Sequence, residues 1–447
     1  MGTQLSQHST RPIRRRASLA ILLTVIAVLY GPSVAPAAGQ FGAIRDAARR
    51  AAEEKRKADE EKRKEEEAKK QPPAAAPAAA PAEAPAAAQP AAAGSTAPPA
   101  PPSTTAVAAP SFASYSKFDF VPGEKIVAAE DFAQDAIGDF PAKWNTNASG
   151  EIVTIAGQPG RWLKLTRAGF FTPEFVTDLP DNVTVEFDLA TPPDFSAGFP
   201  LETAFVQLAD LKKPEDWQTA SNNFFFTAHP SSSQGSSQMT TRQDGTSAAG
   251  NSTTTAQLAA NGKPVHIAIW RQRQRVRVYM NQEKVWDLPR AAAAAAKFNA
   301  LVFFVPGGCG NCEYYLAGLR VATGAPDTRN KIITEGKWVT HGILFDVNSD
   351  RIKPESYGTL KEMAGVLTES SDLKVVIVGH TDSDGDDAAN MDLSKRRAAA
   401  VKSTLVSEFK IDAGRLETDG KGESQPIDKN DNPAGKANNR RVEFIKK

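Results

Sequence analysis

The stretch KVVIVGHTDSDG (374–385), followed by LSKRRA (393–398), decides the fold of the C-terminal part of this chain. KVVIVG is a continuous apolar run, which is typical of a strand covered on both faces. The stretch therefore sets Asp382 at the end of a strand and Arg397 on the helix that follows. An acid and a base held across one strand-to-helix connection suit a zwitterionic ligand better than a catalytic step.

Apolar and helical patterns continue on both sides of this stretch. Pro354 at a first helical turn favours a helix start there. The order β-α-β-α-β-β (βαβαββ) predicts an α/β domain over residues 331–447, with the helices on one side of a mixed sheet. The predicted strands are 342–347, 374–379, 416–420 and 441–445, and the predicted helices are 354–370 and 388–408.

Arg397 is unusual within the second predicted helix. It shares a four-residue row with Leu393, Val401 and Leu405, and this row should face the sheet. A guanidinium there must find an anion, because an unpaired buried charge is costly. One interpretation is a buried salt bridge to Asp382 that joins strand to helix. The other is a split site, in which Asp382 accepts from a ligand ammonium and Arg397 binds a ligand carboxylate.

Five motifs carry a family resemblance. They are F-D-x-N at 345–348, G-H-T-D-x-x-G at 379–385, N-x-x-L-S-x-x-R-A at 390–398, G-x-G-x-x-x-P at 420–426 and N-R-R-V-E at 439–443. With them, residues from about 343 to 447 closely resemble the OmpA-like peptidoglycan-binding domain shared by OmpA, Pal and MotB proteins. The resemblance implies non-covalent binding of peptidoglycan.

The resemblance also implies which residues bind. In that family the aspartate of GHTD and the arginine of LSxxR grip the free zwitterionic end of diaminopimelate in the peptidoglycan stem peptide. The corresponding residues here are Asp382 and Arg397. The other implied residues are Asn348, Asn390 and Thr381, which would line the pocket, and Arg440, which would support them.

We expect a binding domain that is not an enzyme and needs no cofactor or metal. No nucleophile–base couple is visible around Asp382, and His380 on the alternate strand face is predicted to be a structural turn histidine. The run DSDGDD at 382–387 lacks the glycine and the distal glutamate of an EF-hand calcium loop. Solvated loop aspartates are therefore predicted there.

Residues 117–325 predict an all-β sandwich domain, because short alternating runs recur between turn signals. The stretch 265–289 resembles the strand–turn–strand–turn signature of concanavalin-like jelly-roll sandwiches, which implies a jelly-roll fold. The region 230–262, rich in Ser, Thr, Gln and Gly, predicts a long surface loop. The predicted strands are 183–190, 203–209, 223–228, 265–270, 275–281 and 300–305.

The predicted sandwich leaves other functions open. It could bind a glycan or an envelope protein, or act as a spacer, and a lectin-like protein is the alternative to a peptidoglycan-binding one. A glycosidase would need two carboxylates flanking the bond, but an acidic outer strand face explains Glu186 and Asp188 without catalysis. Tryptophans that could stack on sugars, although most should be core, are Trp144, Trp162, Trp217, Trp270 and Trp286.

The N-terminal residues predict an export signal followed by a long spacer. Residues 1–38 have the basic start, apolar run and small-residue cleavage site of a signal peptide. The apolar run 17–30 is shorter than the roughly 20 residues of a membrane-spanning helix, so membrane contact is expected only if the signal stays uncleaved. Residues 43–70 predict a charged helical segment, with a coiled coil as the alternative. Residues 71–112 form an Ala/Pro-rich linker.

Composition adds further limits. A length of 447 residues indicates two or three domains, and a net charge of +1 gives no global field that would favour nucleic acid. Cys309 and Cys312 are too few for a structural zinc site. In an exported protein they are predicted to form a small-loop disulfide, with free thiols as the alternative. The expected location is the periplasm or the outer membrane.

Overall fold

The computed structural model describes residues 118–193, 195, 198–307, 313–324 and 327–447. The predicted signal peptide, charged segment and linker lie outside the described residues, and so do Cys309 and Cys312. Within the described ranges, no helix has the length and apolar character needed to cross a bilayer. All described residues belong to one compact unit.

The sandwich domain has fifteen strands in its described residues, paired in antiparallel fashion. The six strands predicted from alternating runs are all present, with ends that shift by a few residues. The strands are β1 (Lys125–Glu130), β2 (Trp144–Thr146), β3 (Gly150–Val153), β4 (Trp162–Leu165), β5 (Gly169–Pro173), β6 (Asn182–Ala190), β7 (Leu201–Val206), β8 (Asn223–Ala228), β9 (Gly235–Gln243), β10 (Thr246–Thr255), β11 (Val265–Gln272), β12 (Arg275–Met280), β13 (Glu283–Leu288), β14 (Ala300–Val305) and β15 (Tyr314–Thr323).

These strands form two sheets around a common core. The first sheet has the order β13-β12-β11-β6-β15-β4-β3, with β1 also paired to β15, and the second has the order β10-β9-β8-β7-β14-β5-β2. Phe187 of the first sheet meets Phe303 of the second, with ring centroids 5.0 Å apart. Both rings belong to one hydrophobic cluster that draws on both sheets. The region is therefore rich in β-sheet, as predicted, while the jelly-roll pattern stays a prediction.

The loop predicted at 230–262 is wrong, because β9 and β10 form a hairpin there. Thr246 pairs with Gln243, so Asp244 and Gly245 are the two turn residues. Both have positive φ, 49° and 82°, as a two-residue type I′ turn requires. The Asp-Gly pair was the available signal, and the polar composition of the strands concealed it.

The C-terminal domain has four strands and three regular helices in the residues described. They are β16 (Lys337–Thr340), α1 (Tyr357–Glu369), β17 (Val375–Gly379), α2 (Asp387–Ser407), β18 (Leu416–Gly420), α3 (Pro433–Asn439) and β19 (Val442–Lys446). The sheet order is β16-β19-β17-β18, and only β17 and β18 run parallel, so the sheet is mixed as predicted. Short helical turns lie at Pro214–Gln218, Ala256–Leu258, Thr328–Asn330, Lys331–Glu335, Pro354–Ser356 and Ala413–Arg415.

Two details of the predicted βαβαββ order are wrong. The first strand is Lys337–Thr340, whereas segment 342–347 leaves the sheet and makes one bridge, from Phe345 to Ile352. Its apolar residues pack on the core from a loop, which an apolar pattern alone cannot distinguish from a strand. Helix α3 was not predicted, although Asn432 caps it by accepting from Gly435 N at 2.9 Å.

The C-terminal domain lies against the first sheet of the sandwich. Helix α3 reaches the β1 strand, where the Asn438 side chain donates to Ile126 O at 2.9 Å and accepts from Ile126 N at 3.0 Å. An amide can do both because it carries a donor and an acceptor. Nearby, Tyr357 of α1 packs on the apolar cluster that contains Phe120 and Trp270. These contacts bring the end of β17 and the start of α2 towards the outer face of the sandwich.

Candidate ligand-binding site

A cavity of about 560 Å³ lies between the two domains. We call its two sides the C-terminal wall, built from residues 343–442, and the sandwich wall, built from residues 129–131 and from residues of β6, β11 and β15. The residues that the sequence singled out all line the C-terminal wall: Asn348, Thr381, Asp382, Asn390, Arg397 and Arg440. The structure therefore brings the whole predicted set to one place.

Asp382 follows the end of β17, where the chain leaves the sheet. Its carboxylate is buried and forms an ion pair with Arg440, whose side chain is 44% exposed. The other oxygen accepts from Asp384 N at 3.3 Å. A carboxylate can accept about four hydrogen bonds, so Asp382 keeps acceptor capacity towards the cavity.

Arg397 lies on α2 and has no carboxylate at ion-pair distance among the described residues. Its guanidinium donates to Ser349 O at 2.9 Å and to Asp346 O at 3.4 Å. It also lies over the ring of Phe345, 4.8 Å from the centroid. Burial lowers the pKa of Arg397, and the nearby Asp382 carboxylate opposes that shift. The salt bridge from Asp382 to Arg397, one of the two interpretations, is therefore not formed within the described part of the chain.

The row of α2 that faces the sheet differs from the predicted one. It runs through Asn390, Ser394, Ala398, Val401 and Leu405, whereas Leu393 and Arg397 are only half-buried and line the cavity. The apolar pattern missed this row because its first half consists of small and polar residues.

Two glycines explain why small residues occupy that row. A Cβ at Gly379 of β17 would lie 2.3 Å from Ser394 O, and one at Gly420 of β18 would lie 2.4 Å from Ser394 Oγ. Gly379 and Gly420 are paired across the two strands. Helix α2 thus rests directly on the backbone of the sheet, and Arg397 lies beside the strand end that carries Asp382.

Asn390 and Thr381 organise the loop behind Asp382. The Asn390 amide donates to Asp384 O at 3.1 Å and to Glu423 Oε2 at 2.6 Å. Thr381 N donates to Gly422 O at 3.0 Å. The Thr381 hydroxyl is buried and has no partner among the residues described. Thr381 borders the cavity, but its hydroxyl oxygen is enclosed by protein.

Asn348 shapes the loop that receives Arg397. It is exposed and has a φ of 52°, a conformation that asparagine tolerates better than most residues. The carbonyls that accept from Arg397 belong to Asp346 and Ser349, on either side of it. Asn348 thus supports the turn and also borders the cavity.

His380 lies in a buried ionic cluster. Its Nε2 is 3.6 Å from Glu443 Oε1, and Glu443 also pairs with Arg441 at 2.8 Å and Lys337 at 2.7 Å. Burial opposes ionisation of Glu443, but His380, Lys337 and Arg441 together lower its pKa. This position agrees with a structural role for His380.

Besides Asp382, two aspartates of the 382–387 run have individual partners. Asp384 pairs with Lys436 at 2.7 Å, and Asp386 caps α2 by accepting from Ala388 N at 3.0 Å. Within the described ranges, no cluster of three or more acidic, His or Cys side chains is arranged to hold a metal ion.

The sandwich wall was not predicted, and it overturns the interpretation of Glu186 as part of a wet outer face. The Glu186 side chain is 3% exposed and accepts from Arg320 at 2.7 Å, and Arg320 also donates to His341 O of the C-terminal domain at 3.2 Å. Next to it, His266 lies 2.8 Å from Asp188 and 3.4 Å from Glu186. Sequence gave no signal for this wall, because it exists only when the two domains pack together.

The protonation states of this cluster follow from its contacts. Burial opposes ionisation of Glu186, but Arg320 and His266 lower its pKa to about 2. Burial likewise opposes protonation of His266, but Asp188 and Glu186 raise its pKa to about 10. The cluster therefore carries fixed opposite charges near neutral pH.

The tryptophans of the sandwich are unsuited to stacking on a sugar. Each of the five is less than a tenth exposed and belongs to a hydrophobic cluster, so none presents an open ring face. The buried residues are Trp144, Trp162, Trp217, Trp270 and Trp286. The lectin-like alternative thereby loses the aromatic platforms on which it depended.

Comparison with known proteins identifies the class of the C-terminal domain. The OmpA family matches residues 344–440, so this part of the chain is an OmpA family domain. Outer membrane porin F of Pseudomonas aeruginosa is 41% identical over 101 residues, which are 23% of this chain and 29% of that protein. Outer membrane protein A of Bordetella avium is 47% identical over 102 residues, which are 23% of this chain and 52% of that protein.

A solved structure shows a similar extent of likeness. The peptidoglycan-associated lipoprotein from Burkholderia pseudomallei is 23% identical, with a TM-score of 0.23, and the match covers 27% of this chain and 98% of that one. The two sequence relatives above are matched over less than two thirds of their own length. The likeness is therefore one of a domain, and the rest of the chain is outside it.

Proposed function

We propose that this protein binds peptidoglycan non-covalently by gripping the free zwitterionic end of diaminopimelate in an uncrosslinked stem peptide. The observation that carries the proposal is the placement of Asp382 and Arg397 on one cavity wall without an ion pair between them. An acid and a base that neutralised each other would leave no site for a zwitterion. Here both keep capacity for a ligand.

Each half of the pair suits one half of the zwitterion. Arg397 donates only to neutral carbonyls, so a ligand carboxylate can receive a stronger, charge-assisted pair of hydrogen bonds from its planar guanidinium. Asp382 can accept from an ammonium while it keeps Arg440, because Arg440 occupies one of its two oxygens.

In this proposal the OmpA family domain tethers the β-sandwich to the cell wall. The family of the domain supports the coarser statement, a peptidoglycan-associated protein of the cell envelope. The relatives are named as outer membrane proteins, which agrees with a location in the periplasm or at the outer membrane. The sandwich then acts as the tethered part, whose own partner is a separate question.

The test is co-sedimentation of the purified protein with sacculi that contain diaminopimelate. We expect the wild-type protein to sediment with them, and Asp382→Ala and Arg397→Ala each to lose about 30-fold or more in affinity, because truncating one partner of a hydrogen-bonded charge pair costs about 2–5 kcal/mol. Thermal unfolding of each variant shows whether the loss is one of binding or of fold.

The chain offers a matched control for Arg397 in its neighbour Arg396. Arg396 is an exposed arginine on the same helix, and it pairs with Asp392 at 2.8 Å outside the cavity. We expect Arg396→Ala to sediment like the wild type. Wild-type sedimentation by both folded cavity variants, Asp382→Ala and Arg397→Ala, contradicts the assignment of the site.

A further inference from the structure

We infer that the sandwich supplies the second half of this binding site, with Asp188, which His266 holds in place, accepting hydrogen bonds from the peptidoglycan fragment beyond its diaminopimelate end. The inference rests on the proposed function, since it concerns the same cavity. In this inference the sandwich takes part in recognising the ligand and is also the part that the C-terminal domain tethers.

Residues of both walls line one continuous cavity. Asp188, His266, Glu186 and Arg320 line the same space of about 560 Å³ as Asp382 and Arg397. Pockets of roughly 300–1,000 Å³ enclose most of the surface of a small organic ligand. A ligand bound at the C-terminal wall therefore has the sandwich wall as its nearest neighbour on the other side.

Within the cluster, one pair of residues joins the two domains and the other pair is open to the cavity. Glu186 and Arg320 are nearly buried, and Arg320 binds the C-terminal domain through His341 O, so this pair holds the two domains together. Asp188 is 34% exposed and His266 is 15% exposed, and the two contact each other across β6 and β11. Their exposed atoms face the cavity that they line.

Neighbouring residues fix Asp188 and His266 in position. Asp188 and His266 are directly opposite residues of neighbouring strands, and His266 is gripped on its other side by Glu186 at 3.4 Å. The contacts from Glu186 to His266 and from His266 to Asp188 fix the exposed Asp188 carboxylate before a ligand arrives, which lowers the entropy cost of binding.

The chemistry of the wall limits what it can bind. Besides Asp188 and Glu186, the sandwich wall carries Glu130 and Asp131. Its carboxylates thus outnumber its cations, Arg320 and His266, and they disfavour a second carboxylate on the ligand. Carboxylate oxygens accept from neutral donors, and the two sources of such donors on this polymer are sugar hydroxyls and the N–H groups of the stem peptide. Both sources present the same chemistry, a neutral hydrogen-bond donor.

The experiment measures binding of two probes to the full chain by isothermal titration calorimetry. One probe is a tripeptide that ends in free diaminopimelate, and the other is the same tripeptide attached to its disaccharide. We expect Asp188→Asn to weaken binding about 10-fold, because the neutral amide oxygen is a weaker acceptor than the carboxylate. A loss seen only with the disaccharide probe identifies sugar hydroxyls, and a loss with both probes identifies peptide N–H groups.

Two variants keep the outcome interpretable. His266→Gln repeats the test if Asp188→Asn lowers the unfolding temperature, and Glu215→Gln is a matched control, since Glu215 is an exposed acid beside the second sheet. Wild-type affinity of folded Asp188→Asn and His266→Gln for both probes overturns the inference while the proposed function stands. Failure of the wild type to bind either probe overturns the proposed function itself.

Discussion

One arginine from each wall of the cavity, Arg320 and Arg397, can be compared, and the two have opposite kinds of partner. On the sandwich wall, Arg320 donates to both oxygens of the buried Glu186 carboxylate at 2.7 Å. On the C-terminal wall, Arg397 has only backbone carbonyls of loop 346–349 and the ring of Phe345. The first arginine is saturated by the protein, and the second is left to be completed by a ligand.

This difference shows how an arginine that stabilises the fold can be distinguished from an arginine that binds a ligand. Both arginines are partly buried, so burial does not separate them. What separates them is whether the protein itself supplies the anion. An arginine that already has its carboxylate gains little from a ligand, whereas one held by neutral carbonyls gains a charge-assisted bond.

The largest expected effect is on the saturated arginine. Arg320→Met leaves the Glu186 carboxylate buried without its main counter-charge, and breaking a buried pair in this way costs about 3–5 kcal/mol of unfolding free energy. Urea denaturation measures the loss. Arg397→Ala, which strands no carboxylate at ion-pair distance among the described residues, should cost far less stability.

The double variant Arg320→Met with Glu186→Gln is the control for this prediction. It removes both charges, so it should recover part of the stability that the single variant loses. Equal stability losses in Arg320→Met and Arg397→Ala would break the distinction between the two walls.

An intermediate effect is expected where the C-terminal wall is assembled. Gly379→Ala puts a Cβ about 2.3 Å from Ser394 O, so α2 must move away from β17 and carry Arg397 with it. Overpacking of this kind costs about 1–3 kcal/mol. We expect a lower unfolding temperature together with weaker sedimentation on sacculi.

Gly365→Ala is the matched control for Gly379→Ala. Gly365 lies within α1, and a Cβ added there meets nothing within 4 Å. Replacing a glycine within a helix by alanine should stabilise the protein by about 0.5–1 kcal/mol. A Gly379→Ala variant as stable as Gly365→Ala would show that the helix is not seated on the glycine backbone.

The C-terminal wall could be predicted from sequence, and the sandwich wall could not. Asp382 and Arg397 belong to one local strand-to-helix connection, and the surrounding motifs implied the other four lining residues. Glu186 and Asp188 were visible only as alternate residues of a strand. Their environment depends on the C-terminal domain packing against that strand, which is a contact between residues far apart in the chain.

Local pattern also failed where polar or small residues form the structure. The hairpin of β9 and β10 has a Ser- and Thr-rich sequence, and the buried row of α2 begins with Asn390 and Ser394. For segment 342–347 the apolar pattern predicted a strand, but these apolar residues pack on the core from a loop. In each case, packing against the rest of the molecule outweighed the periodicity of the segment.

The smallest expected effect concerns two glutamates of the sandwich that repeat the contrast between the arginines. Glu186 is paired with Arg320, which holds its pKa at about 2. Glu202 on β7 has a buried oxygen without a partner among the described residues, and burial raises its pKa to about 7. Between its unfolded value of 4.5 and about 7, the folded protein retains the Glu202 proton that the unfolded chain releases. Stability contributed at this position is therefore present below pH 4.5 and lost as the pH rises towards 7.

Glu202→Gln should remove that loss, because the amide does not titrate. We expect the variant to gain about 1 kcal/mol over the wild type at pH 8, less than the full pKa shift would give because water screens the partly exposed Glu202 side chain, and to gain nothing at pH 4. Glu186→Gln is the opposite control, since it discards a favourable ion pair and should destabilise the protein at pH 8. Urea denaturation of the three proteins at both pH values measures this, and a gain for Glu202→Gln that is equal at pH 4 and pH 8 would mean that the carboxyl is not held protonated by burial.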